Sequence, residues 1–113
     1  MSKIETIKNN YEFKNIFSKG RYVVEKNISA YFLKNTINKN RIGIAVSKKI
    51  GNSVVRNRLK RLFREAYRNS ITIEKNKMFD IVFIWRKNRP LEEATYNNML
   101  QEIGEILKKV GII

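Results

Sequence analysis

Neither cysteine nor histidine occurs in this 113-residue sequence. Their absence removes disulfides, thiolate nucleophiles, Cys/His metal sites and the commonest general base together. Aspartate occurs once, at Asp80, so a two-metal nuclease centre would have to be assembled from glutamates scattered over helix surfaces. Long apolar runs are also missing. The longest, Ile81 to Trp85, falls far short of the ~20 residues that cross a bilayer. Met1 to Lys8 lacks the apolar stretch of a secretion signal, so the expected location is the cytoplasm, with no membrane partner.

Acidic residues are scarce too. Lys and Arg total 24 against 10 Asp and Glu, a net charge of +14. Such an excess costs self-repulsion and implies a polyanionic partner. The chain can nevertheless fold, because 42% of its residues are hydrophobic and 11% aromatic. That content and length suit one compact domain over residues 1–113, burying roughly two thirds of its unfolded surface. There are no repeats, linkers or low-complexity tracts.

Local patterns give the element order. Asn9 can cap a first helix with Glu12 three residues on, Phe13, Ile16 and Phe17 follow at helical spacing, and Gly20 stops it, giving Asn10 to Lys19. Arg21 to Val24 and Ile28 to Leu33, split by Glu25-Lys26-Asn27, suggest a hairpin in which Ser29, Tyr31 and Leu33 share one face. Ile42 to Val46 reads as a strand covered on both sides. Gly51-Asn52-Ser53 then offers N-cap side chains, Ser53 adding a hydroxyl, to a helix over Val54 to Arg68 with Val55, Leu59, Leu62, Phe63 and Ala66 inward. Phe79 to Trp85 reads as a buried strand. Tyr96, Met99, Leu100, Ile103, Ile106 and Leu107 form the stripe of a last helix, with Glu92, Glu93, Glu102 and Glu105 expected in solvent. The order α-β-β-β-α-β-α describes an α+β fold, a two-layer sandwich of one sheet with packed helices.

The positive charge is concentrated. Between Lys48 and Arg68 lie Lys48, Lys49, Arg56, Arg58, Lys60, Arg61, Arg64 and Arg68, against the single acid Glu65. At about 100° per residue, Arg56, Asn57, Lys60, Arg61, Arg64 and Arg68 fall on one broad arc opposite the apolar stripe, while Arg58 sits at its border and could equally brace the sheet edge. Charge runs are usually solvated helix faces that mix signs. Same-sign stacking at three- and four-residue spacing costs a few tenths of a kcal/mol per pair, a penalty that a bound polyanion removes. Guanidinium groups bind phosphate in bidentate fashion, and Asn57 among them can address a base, a sugar hydroxyl or a phosphate. Phe13, Phe17 and Tyr31 are candidates for stacking on unpaired bases, although residues so spaced are more often core.

The segment Arg41 to Arg68, RIGIAVSKKIGNSVVRNRLKRLFREAYR, closely resembles the signature of the bacterial ribonuclease P protein family. The resemblance extends over the chain, through EFKNIFSKG, the strand holding Tyr31, and DIVFIW. It implies a protein that binds a catalytic RNA, one protein to one RNA subunit, and assists removal of the 5′ leader from precursor tRNA. The reaction centre and its magnesium would be held mainly by that RNA, and no catalytic or metal-binding residue is assigned to the protein. Carried over by position, Lys48, Lys49, Arg56, Asn57, Arg58, Lys60, Arg61, Arg64 and Arg68 match the family's RNA-contacting region, and Phe13, Phe17 and Tyr31 its leader-binding cleft. The family also implies a left-handed crossover between the third and fourth strands, against the general preference for right-handed ones. Two positions depart from its usual pattern: Trp85, which leaves packing at the sheet edge open, and Ser53.

The alternative is a general structured-RNA-binding protein of ribosomal or RNA-chaperone type, sharing size, charge and fold class but not the Arg41 to Arg68 motif. An autonomous nuclease would need a carboxylate cluster, and a DNA-binding dimer a helix-turn-helix pair.

Overall fold

A computed structural model describes residues 4–71 and 74–113. The elements are α1 (Asn10–Lys19), β1 (Arg21–Val24), β2 (Ile28–Lys34), β3 (Arg41–Ala45), α2 (Ser53–Ser70), β4 (Phe79–Trp85) and α3 (Tyr96–Val110), with short 3-10 turns at Lys48–Ile50 and Leu91–Glu93. This is the α+β order expected. The strands form one mixed sheet, β1-β2-β4-β3, in which only the β3–β4 pair is parallel. The chain crosses between those two strands through α2, the connection for which the family resemblance implies a left-handed path.

Strand alternation sends the sheet's side chains to two faces. Ile28, Ala30, Ile42, Ile81, Phe83 and Trp85 face α2 and α3, and with Leu59, Phe63, Met99, Ile103 and Ile106 they make the main core. Phe63 stacks on Phe83 with centroids 6.0 Å apart. Trp85 is 3% exposed in this layer, and its indole N–H reaches the Arg89 carbonyl at 3.4 Å. Trp85 thus closes the carboxyl end of β4, an interior strand and not the sheet edge, and the packing there is undisturbed. The opposite face carries Tyr31, Leu33, Val82, Ala45 and Ile84, with α1 lying across it through Ile16 and Phe13.

β4, the most apolar strand, occupies the interior of the sheet. The segment expected to be covered on both sides, β3, is so covered, with Ile42 in the core against α2 and α3 and Gly43 beneath the Phe13 ring, and it is at the same time an edge strand. Its outer side pairs with the chain ahead of α1, where Ile42 N–H donates to Glu5 O at 3.0 Å and Ile7 N–H to Ile42 O at 2.8 Å. Small and apolar composition alone does not separate a central strand from an edge strand whose rim is covered by another segment.

The caps also differ in detail. At α2 the Asn52 side-chain oxygen accepts from Val55 N–H at 3.0 Å, and Ser53 is the first helical residue. At α1, Asn9 occupies the cap position without a side-chain bond. Glu12 turns away from it to Arg41, whose guanidinium lies 2.7 Å off, a full charge outcompeting a backbone N–H for the carboxylate. Gly20 caps the carboxyl end of α1, at a position that admits only glycine, because a Cβ there would sit 2.3 Å from the Ile16 carbonyl oxygen and 2.9 Å from that of Phe32.

The largest departure is Glu102. Expected in solvent, its residue is 9% exposed, and it accepts three hydrogen bonds: from Asn27 N–H at 2.7 Å, the Asn27 side-chain amide at 2.8 Å and Ile28 N–H at 3.0 Å. Glu25 N–H donates to Ile28 O at 2.8 Å, so the β1–β2 connection is a tight turn. The reciprocal donor, Ile28 N–H, is taken by the α3 carboxylate. From the other side of the turn, Arg86 donates to the carbonyls of Glu25 and Lys26 at 2.9 and 2.8 Å.

Candidate nucleic-acid interface

The ridge and the aromatic face meet at β3. Asn57, Arg61, Arg64 and Arg68 stand exposed on α2, and Lys48 and Lys49 stand exposed on the turn that precedes it. Ser47 orders that turn by accepting from Lys49 N–H at 3.2 Å. Lys60 and Arg64 lie on the β3 side of the helix, where they line one concavity with Phe13, Ile42, Gly43 and Ile44.

Two expected members are placed differently. Arg56 is half-buried, and its Nε donates to the Gly51 carbonyl at 3.2 Å, bracing the entry to the helix. Arg58 lies on the flank toward α3, beside Val55, Leu59, Leu62, Leu91 and Ala94, well round the helix from Lys60 and Arg64. Among the described residues, the ion pairs of the chain all lie elsewhere, at Lys26, Lys39, Arg41, Arg89, Lys108 and Lys109. The ridge thus presents uncompensated positive charge.

On the sheet face, α1 covers the starts of β3 and β4 and the end of β2. The remaining floor is a cleft of Ala45, Ile84, Tyr31 and Val24. Phe17 forms its rim, 39% exposed, with its ring edge-on to Tyr31 at 5.2 Å. Phe13 stands 6.5 Å from Phe17. Its ring occupies the space above Gly43, where an added Cβ would come within 2.7 Å of two ring atoms. Phe13 is therefore both packing and cleft wall, and Phe17 offers the freer ring face.

Gly43→Ala is expected to force the Phe13 ring outward, cost about 1–2 kcal/mol and lower the melting temperature by several degrees. A thermal melt checks this. An unchanged melting temperature would mean that the ring does not rest on Gly43.

Arg41 fixes α1 to the sheet. It donates to both Asp80 oxygens at 2.8 and 2.7 Å and pairs with Glu12. The Asp80 carboxylate, then Glu12, hold its proton more tightly than that of an ordinary arginine, against the opposing effect of burial.

Three basic residues were not singled out by the sequence pattern. Arg86, Lys87 and Arg89, after β4, line a concavity of about 790 Å³ together with Lys49, Lys60 and Trp85. It opens at the carboxyl ends of β3 and β4. Arg89 is tied by its Nε to the Asn27 side-chain oxygen at 2.7 Å. The run Arg-Lys-Asn-Arg is visible at 86–89, but only the parallel pairing of β3 and β4 carries it to Lys49. Tyr22 was also missed. It is 54% exposed, on the cleft side of β1, with its ring 4.8 Å from that of Tyr31.

Known proteins resemble this chain in sequence and fold. The family profile described as Ribonuclease P matches residues 1–111. A ribonuclease P protein component of Clostridium botulinum is 38% identical over 106 residues, 94% of each chain. One from Alkaliphilus metalliredigens is 41% identical over 108 residues, 95% of this chain and 94% of that one. Among solved structures, the Thermotoga maritima RNase P protein superposes with a TM-score of 0.81 at 32% identity, covering 93% of this chain and 96% of its own. The Staphylococcus aureus RNase P protein gives 0.80 at 32%, covering 97% and 98%. The fold, the cationic helix and the relatives agree over nearly the whole length, and the chain belongs to the ribonuclease P protein family, the protein subunits of a ribonucleoprotein endoribonuclease.

Proposed function

We propose that this subunit grips the ribonuclease P RNA with Lys48, Lys49, Asn57, Lys60, Arg61, Arg64 and Arg68, and receives the single-stranded 5′ leader of precursor tRNA in the cleft of Phe13, Phe17 and Tyr31. The observation that carries the reading is the junction at β3, where Lys60 and Arg64 line the same concavity as Phe13. A strand leaving a phosphate-bound duplex at the ridge passes over the half-buried Phe13 to the exposed ring of Phe17.

The two parts do different chemistry. Guanidinium and ammonium groups offset backbone phosphate charge without reading sequence, while ring faces hold unpaired bases, each worth about 1–3 kcal/mol. Arg56 and Arg58 contribute less directly, the first by bracing the turn ahead of α2, the second from the flank toward α3. The protein orients the scissile region of the substrate, and the RNA performs the hydrolysis.

Magnesium, in this reading, belongs mainly to the RNA. Among the described residues no three carboxylates come together to hold a magnesium ion, and the buried ones are already engaged. Asp80 gives both oxygens to Arg41, Glu12 is bound to the same guanidinium, and Glu102 is committed to the β1–β2 turn. One protein per RNA subunit is the stoichiometry that a single continuous ridge and cleft support.

Cleavage of a precursor tRNA by a bacterial ribonuclease P RNA at low magnesium, with and without the protein and with a protein-only control, tests the proposal. The expected result is strong stimulation of correct 5′ cleavage when RNA and protein are combined, and no cleavage by protein alone. Tight RNA binding with no stimulation would favour the general RNA-binding alternative.

A further inference from the structure

We infer that Tyr22 extends the leader cleft onto the edge strand and provides a binding position for one further unpaired base, upstream of those held at Phe17 and Tyr31. The inference rests on the leader reading above and adds a site to it.

Four rings form a continuous track. Phe13, Phe17, Tyr31 and Tyr22 follow one another at centroid separations of 6.5, 5.2 and 4.8 Å. The track crosses the sheet in strand order, with Phe13 over β3, Tyr31 on β2 and Tyr22 on β1, the far edge. Its inner end shares a concavity with Lys60 and Arg64, so a strand entering from the ridge reaches Tyr22 last.

Exposure is greatest at the outer end: Phe13 and Tyr31 are half-buried, while Phe17 is 39% and Tyr22 54% exposed. A ring that is more than half exposed on an edge strand contributes little to the core. Here its orientation is nevertheless fixed, by the direct pairing of Tyr22 with Tyr31 across the hairpin. That pairing is set by a turn clamped between Glu102 and Arg86.

The charge along the track suits a nucleic acid strand. Glu12 near its inner end is bound by Arg41, and Glu25, just past β1, is bound by Lys109 of α3 on the other face of the sheet. With 54% of Tyr22 exposed, its ring has free surface for a base, and stacking is tolerant of base identity.

The test uses the holoenzyme and precursor tRNAs whose leaders lengthen one nucleotide at a time. Equilibrium binding is measured for the wild type and for the Tyr22→Ser, Tyr22→Phe and Phe17→Ala variants. Affinity is expected to rise stepwise with leader length. Tyr22→Ser should abolish the outermost step, a loss of about 5- to 50-fold confined to long leaders, while leaving short leaders and mature tRNA unaffected. Tyr22→Phe should retain that step. An abasic nucleotide at the matching leader position should erase the difference between wild type and Tyr22→Ser.

Equal binding by Tyr22→Ser and wild type at every length would overturn the inference, as would a loss shared by mature tRNA, which would mark Tyr22 as structural. Phe17→Ala separates the two levels of the argument. If it removes an earlier step while Tyr22→Ser removes none, the cleft stands and the extension fails. If neither variant responds to leader length, the cleft reading itself fails.

Discussion

Replacing Lys60, Arg61 and Arg64 together with alanine is expected to flatten the slope of log affinity for ribonuclease P RNA against log salt by about 2 to 3, at 0.7 to 0.9 per lost phosphate contact. At physiological salt the affinity should fall on the order of 10² to 10³-fold, taking about 1–1.5 kcal/mol for each exposed charged contact. Folding should survive. Arg61 and Arg64 are exposed and Lys60 half-buried, and trimming same-sign neighbours relieves a few tenths of a kcal/mol per pair. A filter-binding series over salt concentration, paired with a thermal melt, measures both quantities. An unchanged slope would place these side chains away from phosphate, and a collapsed melt would mean that the helix, not the interface, had been damaged. Arg58→Ala serves as the internal comparison. Its position on the α3 flank predicts a smaller change in slope than any ridge residue gives.

Glu102→Ala should be the most destabilising change of a charged residue on α3. It strands the buried N–H groups of Asn27 and Ile28 and frees the Asn27 amide. At about 1–3 kcal/mol for each unsatisfied group, a total near 3 kcal/mol is expected, or a fall of roughly 10–20 °C in melting temperature for a domain of this size. Glu102→Gln keeps one carbonyl oxygen as acceptor and should cost about a third as much. The loss carries a functional consequence as well. The turn positions β1, and Asn27 also holds Arg89, so the outer cleft and the charged concavity after β4 should loosen together. Hydrogen exchange at Ile28 N–H would register this directly. If Glu102→Ala melts with the wild type, the carboxylate is not what closes the turn.

Glu102 is also where reading the sequence reached its limit. Helical periodicity sets a residue's angle about its own axis, and on that basis Glu102 falls among acidic neighbours at the edge of the α3 stripe. Which partner awaits at that angle depends on where the hairpin lies, and a polar turn offering orphan N–H groups attracts a carboxylate into the interior. Glu12 misled for the same reason. Its spacing from Asn9 matches a capping box, but Arg41, distant in sequence, offered the stronger partner.

The place of Tyr22 depends on register, which the sequence pattern leaves open. A connection through all of Glu25-Lys26-Asn27 pairs Val24 with Ile28 and puts Tyr22 opposite Ala30, toward α2 and α3. In the structure Val24 faces Ser29 and Tyr22 faces Tyr31. A shift of one residue sends a whole strand to the other face.

By itself the sequence determined the element order, the apolar stripes of α2 and α3, the buried strand Phe79–Trp85, and the concentration of positive charge between Lys48 and Arg68. All of these are periodic or compositional properties carried by residues close together in the chain. The tertiary structure alone decided that Phe13 rests on Gly43 beside Lys60 and Arg64, that Arg86, Lys87 and Arg89 reach Lys49, that Arg41 fastens α1 to β4, and that Glu102 closes the β1–β2 turn. Each joins residues far apart in sequence. Such contacts depend on strand order and register, which are set by burial and hydrogen bonding over the entire sheet rather than by any local pattern.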